Sequence, residues 1–172
     1  MITLVTGGSK CGKSAFAEKI TGNFQGRKYY IATMQPYGDE AFKAIERHRK
    51  MRAGRGFETI EKYTDLHEIN FTERGAVLLE CMGNLCANEM FREKIVNPVD
   101  KIVDDIKYLE KISERLVIVT NEVGADGIRY APETMTYISY MAEINRNIGG
   151  FAENVIECVY GIPVVLKGGL NC

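Results

Sequence analysis

The stretch ITLVTGGSKCGKS, residues 2–14, decides the fold. Ile2–Val5 is a short apolar, β-branched run, which is typical of a buried strand. Gly7–Ser14 then matches the pattern G-x-x-x-x-G-K-[ST], and from Lys13 onward the apolar residues follow helical spacing. A strand, a glycine-rich loop and a helix in this order are the context that the pattern requires, so the segment predicts a P-loop.

The chemistry of such a loop assigns a role to each part of it. The glycines let successive backbone N–H groups point at one phosphate cluster, and the N-terminus of the following helix adds partial positive charge. Lys13 is expected to reach the β- and γ-phosphates of a nucleotide, and Ser14 a Mg²⁺ ion. The predicted phosphate-binding residues are Gly7, Gly8, Ser9, Lys10, Cys11, Gly12, Lys13 and Ser14.

Strand and helix patterns alternate along the rest of the chain. Further strands are predicted at 28–33, 57–61, 76–80 and 115–122 and, joined at Gly161–Pro163, as two strands within 155–167; helices are predicted at 39–52, 97–113 and 134–151. This alternation indicates an α/β domain with a mainly parallel sheet and ligands at the carboxyl ends of its strands. With 172 residues, the chain is expected to form a single domain, 1–172.

Composition excludes some classes of partner. The formal net charge is -1 and the pI about 6.2, so no global positive field attracts nucleic acid or an anionic membrane. The five scattered cysteines favour reduced thiols over a disulfide framework. We find neither a basic, apolar leader pattern nor a run of about 18 apolar residues. These features predict a soluble, cytoplasmic protein.

A carboxylate near the metal is the next requirement of a P-loop enzyme. Glu80 ends the apolar run AVLLE, which predicts a strand of the same sheet, so it is the best-placed candidate for direct or water-mediated contact with Mg²⁺. The alternative is an acid at a strand end that faces solvent. Glu122, which follows another predicted strand, is a weaker second candidate.

The stretch KAIERHRKMR, residues 43–52, holds one of the two histidines of the chain. On a helix, His48 and Arg52 project from one stripe. Imidazole is largely neutral and nucleophilic at cellular pH, and guanidinium groups such as those of Arg49 and Arg52 would neutralise a phosphate under attack. Cations near the C-terminal end of a helix are favourable in any case, so a merely solvated basic face remains the alternative.

Seven segments in one order carry a resemblance to a known family. TGGSKCGKS, YIAT, AIERHRKMR, TIE, LLECMGNL, TNEVG and GIPVVLK, spread from about Ile2 to Lys167, resemble the bifunctional adenosylcobinamide kinase / adenosylcobinamide-phosphate guanylyltransferase family of cobalamin biosynthesis. The resemblance implies a P-loop NTPase fold of the RecA-like kind. This fold is a three-layer sandwich with a mainly parallel sheet and an antiparallel C-terminal hairpin.

The resemblance also implies two activities. The first phosphorylates adenosylcobinamide; the second transfers GMP from GTP, through a phosphoramidate on the histidine matching His48, to adenosylcobinamide phosphate. GTP or ATP and Mg²⁺ are implied as substrate and cofactor, with the corrinoid as partner, no nucleic acid, no membrane, and a homo-oligomer. Lys13 and Glu80 would act with His48 in catalysis. Beyond the P-loop, the implied nucleotide-binding residues are Ile31, Ala32, Thr33, Arg49, Lys50, Met51, Arg52, Glu61 and Glu80, with Ser14 and Glu80 at the metal.

The chain departs from the family after Gly124. Where members have Phe-Arg-Asp, this chain has Tyr137-Ile138-Ser139, and it contains no tryptophan. Loss of an arginine and an aspartate together removes either an internal ion pair or a contact to substrate. Two alternatives therefore stand beside the bifunctional enzyme: a guanylyltransferase without the kinase step, and a non-catalytic GTP-binding module.

Overall fold

Seven strands form one sheet in the part of the chain that the computed structural model describes, residues 1–36, 43, 46 and 54–170. The strands are β1 (Ile2–Thr6), β2 (Lys28–Ala32), β3 (Phe57–Glu61), β4 (Ala76–Glu80), β5 (Arg115–Val119), β6 (Asn154–Val159) and β7 (Ile162–Lys167). Their order across the sheet is β3-β2-β4-β5-β1-β6-β7. All neighbours are parallel except β6 and β7, so the predicted parallel sheet and antiparallel C-terminal hairpin are confirmed.

Helices cover both faces of this sheet, because its central strands are apolar on both sides. Helix α1 (Lys13–Gly22) packs Ala17 and Ile20 against one face. On the other face lie α2 (Met82–Ala87), α3 (Val99–Ile112) and α4 (Pro132–Phe151). Ile102, Ile106 and Leu109, the predicted apolar stripe of α3, are fully buried there. The three-layer α/β architecture is thereby confirmed.

The strand ends are level with one another. One row of partners crosses the sheet from Val5 through Val119, Glu80 and Ala32 to Glu61. The loops that follow β1, β5, β4, β2 and β3 therefore leave the sheet along the same edge. This register brings residues that are far apart in sequence to one side of the molecule, where α/β proteins bind their ligands.

The connection of the C-terminal hairpin differs from the prediction. The turn is formed by Tyr160 (φ 50°) and Gly161 (φ 82°), not by Gly161–Pro163. Two positive φ angles are what a two-residue hairpin turn needs, and proline, with φ locked near −65°, does not adopt them. Pro163 instead lies in edge strand β7 opposite Cys158.

Two further differences concern the ends of elements. The predicted strand 115–122 stops at Val119, and its last three residues form the start of a loop. No helix was predicted after β4, yet α2 begins two residues beyond Glu80 and continues into a π-helical turn, Asn88–Arg92. Of the predicted helix 39–52 only Lys43 and Glu46 are described, and both are helical and exposed. None of the described helices combines the length and the apolar composition needed to cross a bilayer.

Candidate nucleotide-binding site

The loop between β1 and α1 depends on glycine at two positions. Gly7 has φ 142°, and a Cβ atom there would lie 2.6 Å from the carbonyl oxygen of Cys158 and 2.7 Å from Sγ of Cys11. Gly12, directly before α1, has φ 97°. Side chains at either position would be strained, and at Gly7 they would also collide with backbone, so the loop holds its shape only with glycine.

The C-terminal hairpin braces the same loop. The backbone N–H of Gly161 donates a hydrogen bond to the carbonyl oxygen of Cys11, 2.8 Å away. A Cβ atom on Gly12 would lie 3.1 Å from Cα of Gly161. The missing side chain of Gly12 is thus what lets the turn approach the P-loop closely. A Cβ atom on Gly161 would meet no atom within 4 Å, so glycine at that position serves the positive φ of the turn.

A cleft of about 480 Å³ opens above this loop. The P-loop residues Ser9–Ser14 form one wall, and residues at the ends of β2, β4 and β5 form the other. Lys13 is nearly buried, and its Nζ donates to the carbonyl oxygen of Gly8 at 2.9 Å. The described residues that line the cleft are Ser9, Lys10, Cys11, Gly12, Lys13, Ser14, Ala15, Met34, Glu80, Cys81, Val119 and Asn121.

Glu80 lies at the floor of the cleft, in direct contact with the P-loop serine. Its side chain is only 7% exposed. Ser14 Oγ donates to Glu80 Oε1 at 2.5 Å, and the Tyr30 hydroxyl donates to Oε2 at 2.9 Å. Although β5 separates β4 from β1 in the sheet, α1 packs across β4 and β5, which brings Ser14 in its first turn to Glu80. The structure therefore favours the cleft-facing reading of Glu80 over the solvent-facing one.

Ser14 and Glu80 also fit the metal expected of this class. A hydroxyl and a carboxylate are hard oxygen donors, which Mg²⁺ prefers, and Mg²⁺ commonly takes only one or two protein ligands beside water and phosphate. In residues 1–36, 43, 46 and 54–170, no group of three or more His, Cys, Asp or Glu side chains is placed to hold a metal ion. A site completed by the nucleotide's own phosphates is consistent with this arrangement.

Thr33 fixes the segment that carries Glu80. Its hydroxyl accepts from the backbone N–H of Cys81 at 2.7 Å and donates to the carbonyl oxygen of Cys81 at 2.8 Å. The side chain is fully buried. The backbone carbonyl of Thr33 in turn accepts from Asn88 Nδ2, which also donates to the carbonyl of Tyr63. Thr33 therefore orients the end of β4 rather than facing the cleft.

Asn145 of α4 fixes the end of β5. Its Oδ1 accepts from Thr120 Oγ1 at 2.6 Å, and its Nδ2 donates to the carbonyl oxygen of Asn121 at 3.2 Å. The Asn121 side chain donates to Sγ of Cys81 at 3.4 Å, which links the ends of the neighbouring strands β5 and β4. Burial raises the pKa of the Cys81 thiol, so it remains protonated at neutral pH.

The remaining sequence-predicted residues are placed as follows. Ile31 is fully buried in the core, Ala32 packs on the α1 face, and Glu61 is exposed at the end of edge strand β3, where Oε2 accepts from the Tyr63 hydroxyl. None of these three is among the described residues that line the cleft. Glu122 is exposed and lines a neighbouring pocket. His48, Arg49, Lys50, Met51 and Arg52 lie outside the described residues.

Sequence reasoning missed several residues of this site, among them Tyr30, Met34, Asn121 and Asn145. Tyr30 sits in a strand pattern and is easily taken for a core residue, while Met34 and Asn121 follow strand ends without a motif of their own. Asn145 lies in a helix, 24 residues from the backbone it holds. The only usable signal was a polar residue in an apolar context, such as the amide that ends the run RLVIVTN.

The loop, its serine and the carboxylate beneath it define a P-loop nucleotide-binding protein. A family model described as "CobU: Cobinamide kinase / cobinamide phosphate guanyltransferase" matches residues 3–166, and the chain belongs to this family. The family and the P-loop fold expected from the sequence are thereby confirmed.

Three curated relatives match over nearly the whole chain. The bifunctional adenosylcobalamin biosynthesis protein CobU of Escherichia coli is 29% identical over 185 aligned positions, covering 97% of this chain and 100% of the relative. CobU of Salmonella typhimurium is 28% identical, with 97% and 100% covered. The bifunctional adenosylcobalamin biosynthesis protein CobP of Pseudomonas aeruginosa is 25% identical, with 98% of each chain covered.

Proposed function

We propose that this chain is a bifunctional transferase of cobalamin biosynthesis that phosphorylates adenosylcobinamide and then guanylylates the product. The observation that carries the proposal is the contact between Ser14 and Glu80 at the floor of the P-loop cleft, in a chain that belongs to the cobinamide kinase / cobinamide phosphate guanyltransferase family. Near full-length similarity to relatives named as bifunctional supports assigning both activities to one chain.

In the kinase step, the hydroxyl of the aminopropanol arm attacks the γ-phosphorus of the nucleoside triphosphate. The new O–P bond replaces the bond to the β-phosphate oxygen, the hydroxyl proton is released to solvent water, and the nucleoside diphosphate leaves. Lys13 and the P-loop N–H groups hold the phosphates, while Ser14 and Glu80 would hold Mg²⁺. Mg²⁺, when bound, would neutralise charge on the transferring phosphoryl group.

In the guanylyl step, a ring nitrogen of His48 attacks the α-phosphorus of GTP. A P–N bond forms, the bond to the β-phosphate oxygen breaks, and pyrophosphate leaves. A phosphate oxygen of adenosylcobinamide phosphate then attacks the same phosphorus, breaks the P–N bond and restores His48. Covalent catalysis divides one displacement into two, and Arg49 and Arg52 are proposed to neutralise the phosphate oxygens. The implied contacts of Lys50, Met51 and Glu61 with the nucleotide also remain proposals.

GTP labelled at the α-phosphate tests the covalent step. Wild-type protein incubated with labelled GTP and Mg²⁺ should acquire acid-labile, alkali-stable label, and His48→Ala should acquire none. His67→Ala is the matched control: it removes the other histidine, whose Nδ1 lies 3.0 Å from Asp105 Oδ1 outside the cleft, and should label normally. Label that persists in His48→Ala would refute the histidine assignment.

The altered segment 137–139 is the observation that favours a second candidate function, a guanylyltransferase that has lost the kinase step. Adenosylcobinamide and γ-labelled nucleotide separate the two, because only the bifunctional enzyme transfers label to the corrinoid. A chain that binds GTP and gives no product in either assay would be the non-catalytic module.

We further propose that the protein assembles as a homo-oligomer. Strand β7 is an edge strand with four exposed apolar side chains, Ile162 (65%), Val164 (41%), Val165 (39%) and Leu166 (59%). Such an edge offers unpaired backbone groups and apolar surface to another chain. A monomeric mass by light scattering at working concentrations would contradict this proposal. A cytoplasmic location is also proposed, and the free thiols of Cys11, Cys81, Cys86 and Cys158 support it.

A further inference from the structure

A second pocket of about 410 Å³ lies between the loop after β5 and the first turns of α4. We refer to it as the β5–α4 pocket. Val123, Tyr130, Tyr137 and Ile138 give it apolar and aromatic walls, and Glu122 and Asp126 place carboxylates in its lining. Its shape depends on Gly124, because a Cβ atom there would lie 2.6 Å from Cγ2 of Ile138. Ile138 therefore packs directly against the loop backbone and forms the wall.

This pocket adjoins the nucleotide cleft. Asn121 lines the cleft and the next residue, Glu122, lines the pocket. The backbone N–H of Glu122 donates to the carbonyl oxygen of Gly7 at 3.3 Å, which ties the loop to the first glycine of the P-loop. Because β5 is the neighbour of β1, the two loops leave the sheet side by side. A molecule seated in the pocket is therefore placed to extend toward the phosphates of a nucleotide in the cleft.

The chemistry of the lining selects against a second nucleotide. Two carboxylates and no Lys or Arg are among its lining residues, so an anionic ligand would be repelled. The Tyr137 hydroxyl donates to the carbonyl oxygen of Gly83 at 3.3 Å, and burial raises the pKa of Tyr137 to about 12, so the side chain presents a neutral ring. The lining fits a neutral or cationic ligand with apolar edges and amide N–H donors.

A corrinoid without its phosphate has this character. Its ring carries methyl groups and several amide side chains, and its cobalt centre gives it positive charge. The pocket volume of about 410 Å³ is at the small end of the range of roughly 300–1,000 Å³ for drug-sized ligands, and a corrinoid is larger than such a ligand, so the pocket does not hold a whole corrinoid. Ile128 and Met135, which are 59% and 41% exposed on the same loop and helix, add apolar surface outside the pocket lining. One edge of the ring would enter while the rest lies over this surface.

We infer that the β5–α4 pocket is the subsite for the corrinoid acceptor, with Ile138 as its apolar wall. The inference rests on the proposed function. It assigns the acceptor to a part of the chain that departs from the family, because Ile138 stands where members have arginine. In members this arginine is accompanied by an aspartate, and this chain has neither, so a single cation introduced at position 138 would lack that partner.

Lysine substitutions at adjacent positions test the inference. Ile138→Lys introduces a cation into the pocket, whereas Ser139→Lys adds the same side chain on the exposed side of α4. Binding of adenosylcobinamide is measured by equilibrium dialysis, with the corrin absorbance as the readout. Relative to wild type, the Kd should rise by about tenfold or more for Ile138→Lys and change by less than about twofold for Ser139→Lys. Ile138→Ala, which only removes the wall, should weaken binding by an intermediate factor.

Labelling by α-labelled GTP on the same samples separates the possible failures. If Ile138→Lys labels like wild type and binds corrinoid as tightly as wild type, the pocket is not the acceptor subsite and the proposed function stands. If wild type acquires label but does not bind adenosylcobinamide, the acceptor assignment is overturned. If wild type neither acquires label nor binds the corrinoid, the proposed function itself fails. If Ile138→Lys loses labelling, the corrinoid affinity of Ile138→Ala is compared with that of wild type instead. Weaker binding supports the inference, and unchanged binding contradicts it.

Discussion

Two buried glutamates, Glu80 and Glu89, lie in polar networks of different design. Glu80 is held by two hydroxyl donors, Ser14 and Tyr30, and faces the nucleotide cleft. Glu89 is fully buried beneath α3, where its Oε1 accepts from the Lys101 ammonium group and from the backbone N–H of Asp65 at 3.2 Å. Both carboxylates are removed from water, and they differ in the hydrogen-bond donors that offset the cost of this desolvation.

The second network contains its own cation. Lys101 Nζ also lies 2.9 Å from Asp65 Oδ1 and 3.7 Å from Asp105 Oδ2. Asp105 in turn accepts from the backbone N–H groups of Leu66 and His67. These contacts connect the loop after β3 to α3, and none of these residues lines the nucleotide cleft. Burial of a carboxylate is therefore a poor guide to function, whereas the surface that the carboxylate faces is a good one.

Among changes in these two networks, Glu80→Gln should have the largest effect on activity. The amide keeps the size of the side chain and an oxygen to accept from Ser14, but removes the negative charge from the cleft floor. Phosphoryl transfer to adenosylcobinamide should fall by about a hundredfold or more, equivalent to roughly 2.7 kcal/mol in the barrier. Single-turnover rates across a Mg²⁺ titration measure the loss, which higher Mg²⁺ should partly reverse.

Glu89→Gln supplies the comparison for this prediction. It makes the same chemical change in the network of Lys101 and should lower the free energy of unfolding, while turnover per folded molecule stays within about twofold. Equal losses of turnover in the two variants would show that the two networks do not differ in function.

Lys101→Met should have the largest effect on stability. Without the ammonium group, the buried carboxyl groups of Glu89 and Asp105 lose their positively charged partner. Removing one partner of a buried ion pair lowers the free energy of unfolding by more than the pair contributes to it. Because Lys101 is partly exposed, we expect a loss of about 2–4 kcal/mol in the free energy of unfolding at pH 7, measured by urea titration. Turnover per folded molecule should not change.

The control is Lys107→Met on the same helix. Lys107 pairs with Asp104 at 3.3 Å, and both side chains are more than half exposed. Exposed pairs contribute little, so the loss should stay below about 0.5 kcal/mol. Similar losses in the two variants would mean that the buried network does not depend on Lys101.

The two networks also illustrate which features of the fold and the site could be predicted from the sequence. The P-loop and the apolar strands have local patterns, so the sheet, the three layers and the placement of Glu80 at a strand end could be predicted. The partners of Glu80 and Glu89 could not. Tyr30 lies 50 residues before Glu80, and Lys101 lies 12 residues after Glu89, and only the folded register brings them together.

Backbone conformation was the second feature that could not be predicted from the sequence. Tyr160 in the hairpin turn is a residue that rarely has a positive φ, so the sequence favoured Gly161–Pro163 as the turn. Thr33 was predicted to bind nucleotide by its position in YIAT, but its hydroxyl is engaged by the backbone of Cys81. A motif identifies which residues belong to a site without saying which of them face the ligand.

Among changes in the network of Lys101, Asp65→Asn should give the smallest loss in the free energy of unfolding, and the pH dependence of this loss shows whether it comes from charge. The hydrogen bond from Lys101 holds the pKa of Asp65 below its usual value. A depressed folded pKa stabilises the protein above the unfolded pKa, and this contribution is lost as the pH falls through the folded pKa. The free energy of unfolding of wild type should therefore exceed that of the variant by about 0.2–1 kcal/mol at pH 7. The difference is modest because Asp65 is partly exposed. Asparagine tolerates the backbone φ of 54° at this position. Urea titrations from neutral to strongly acidic pH should show the gap closing, and a gap that stays constant would assign it to packing instead of charge.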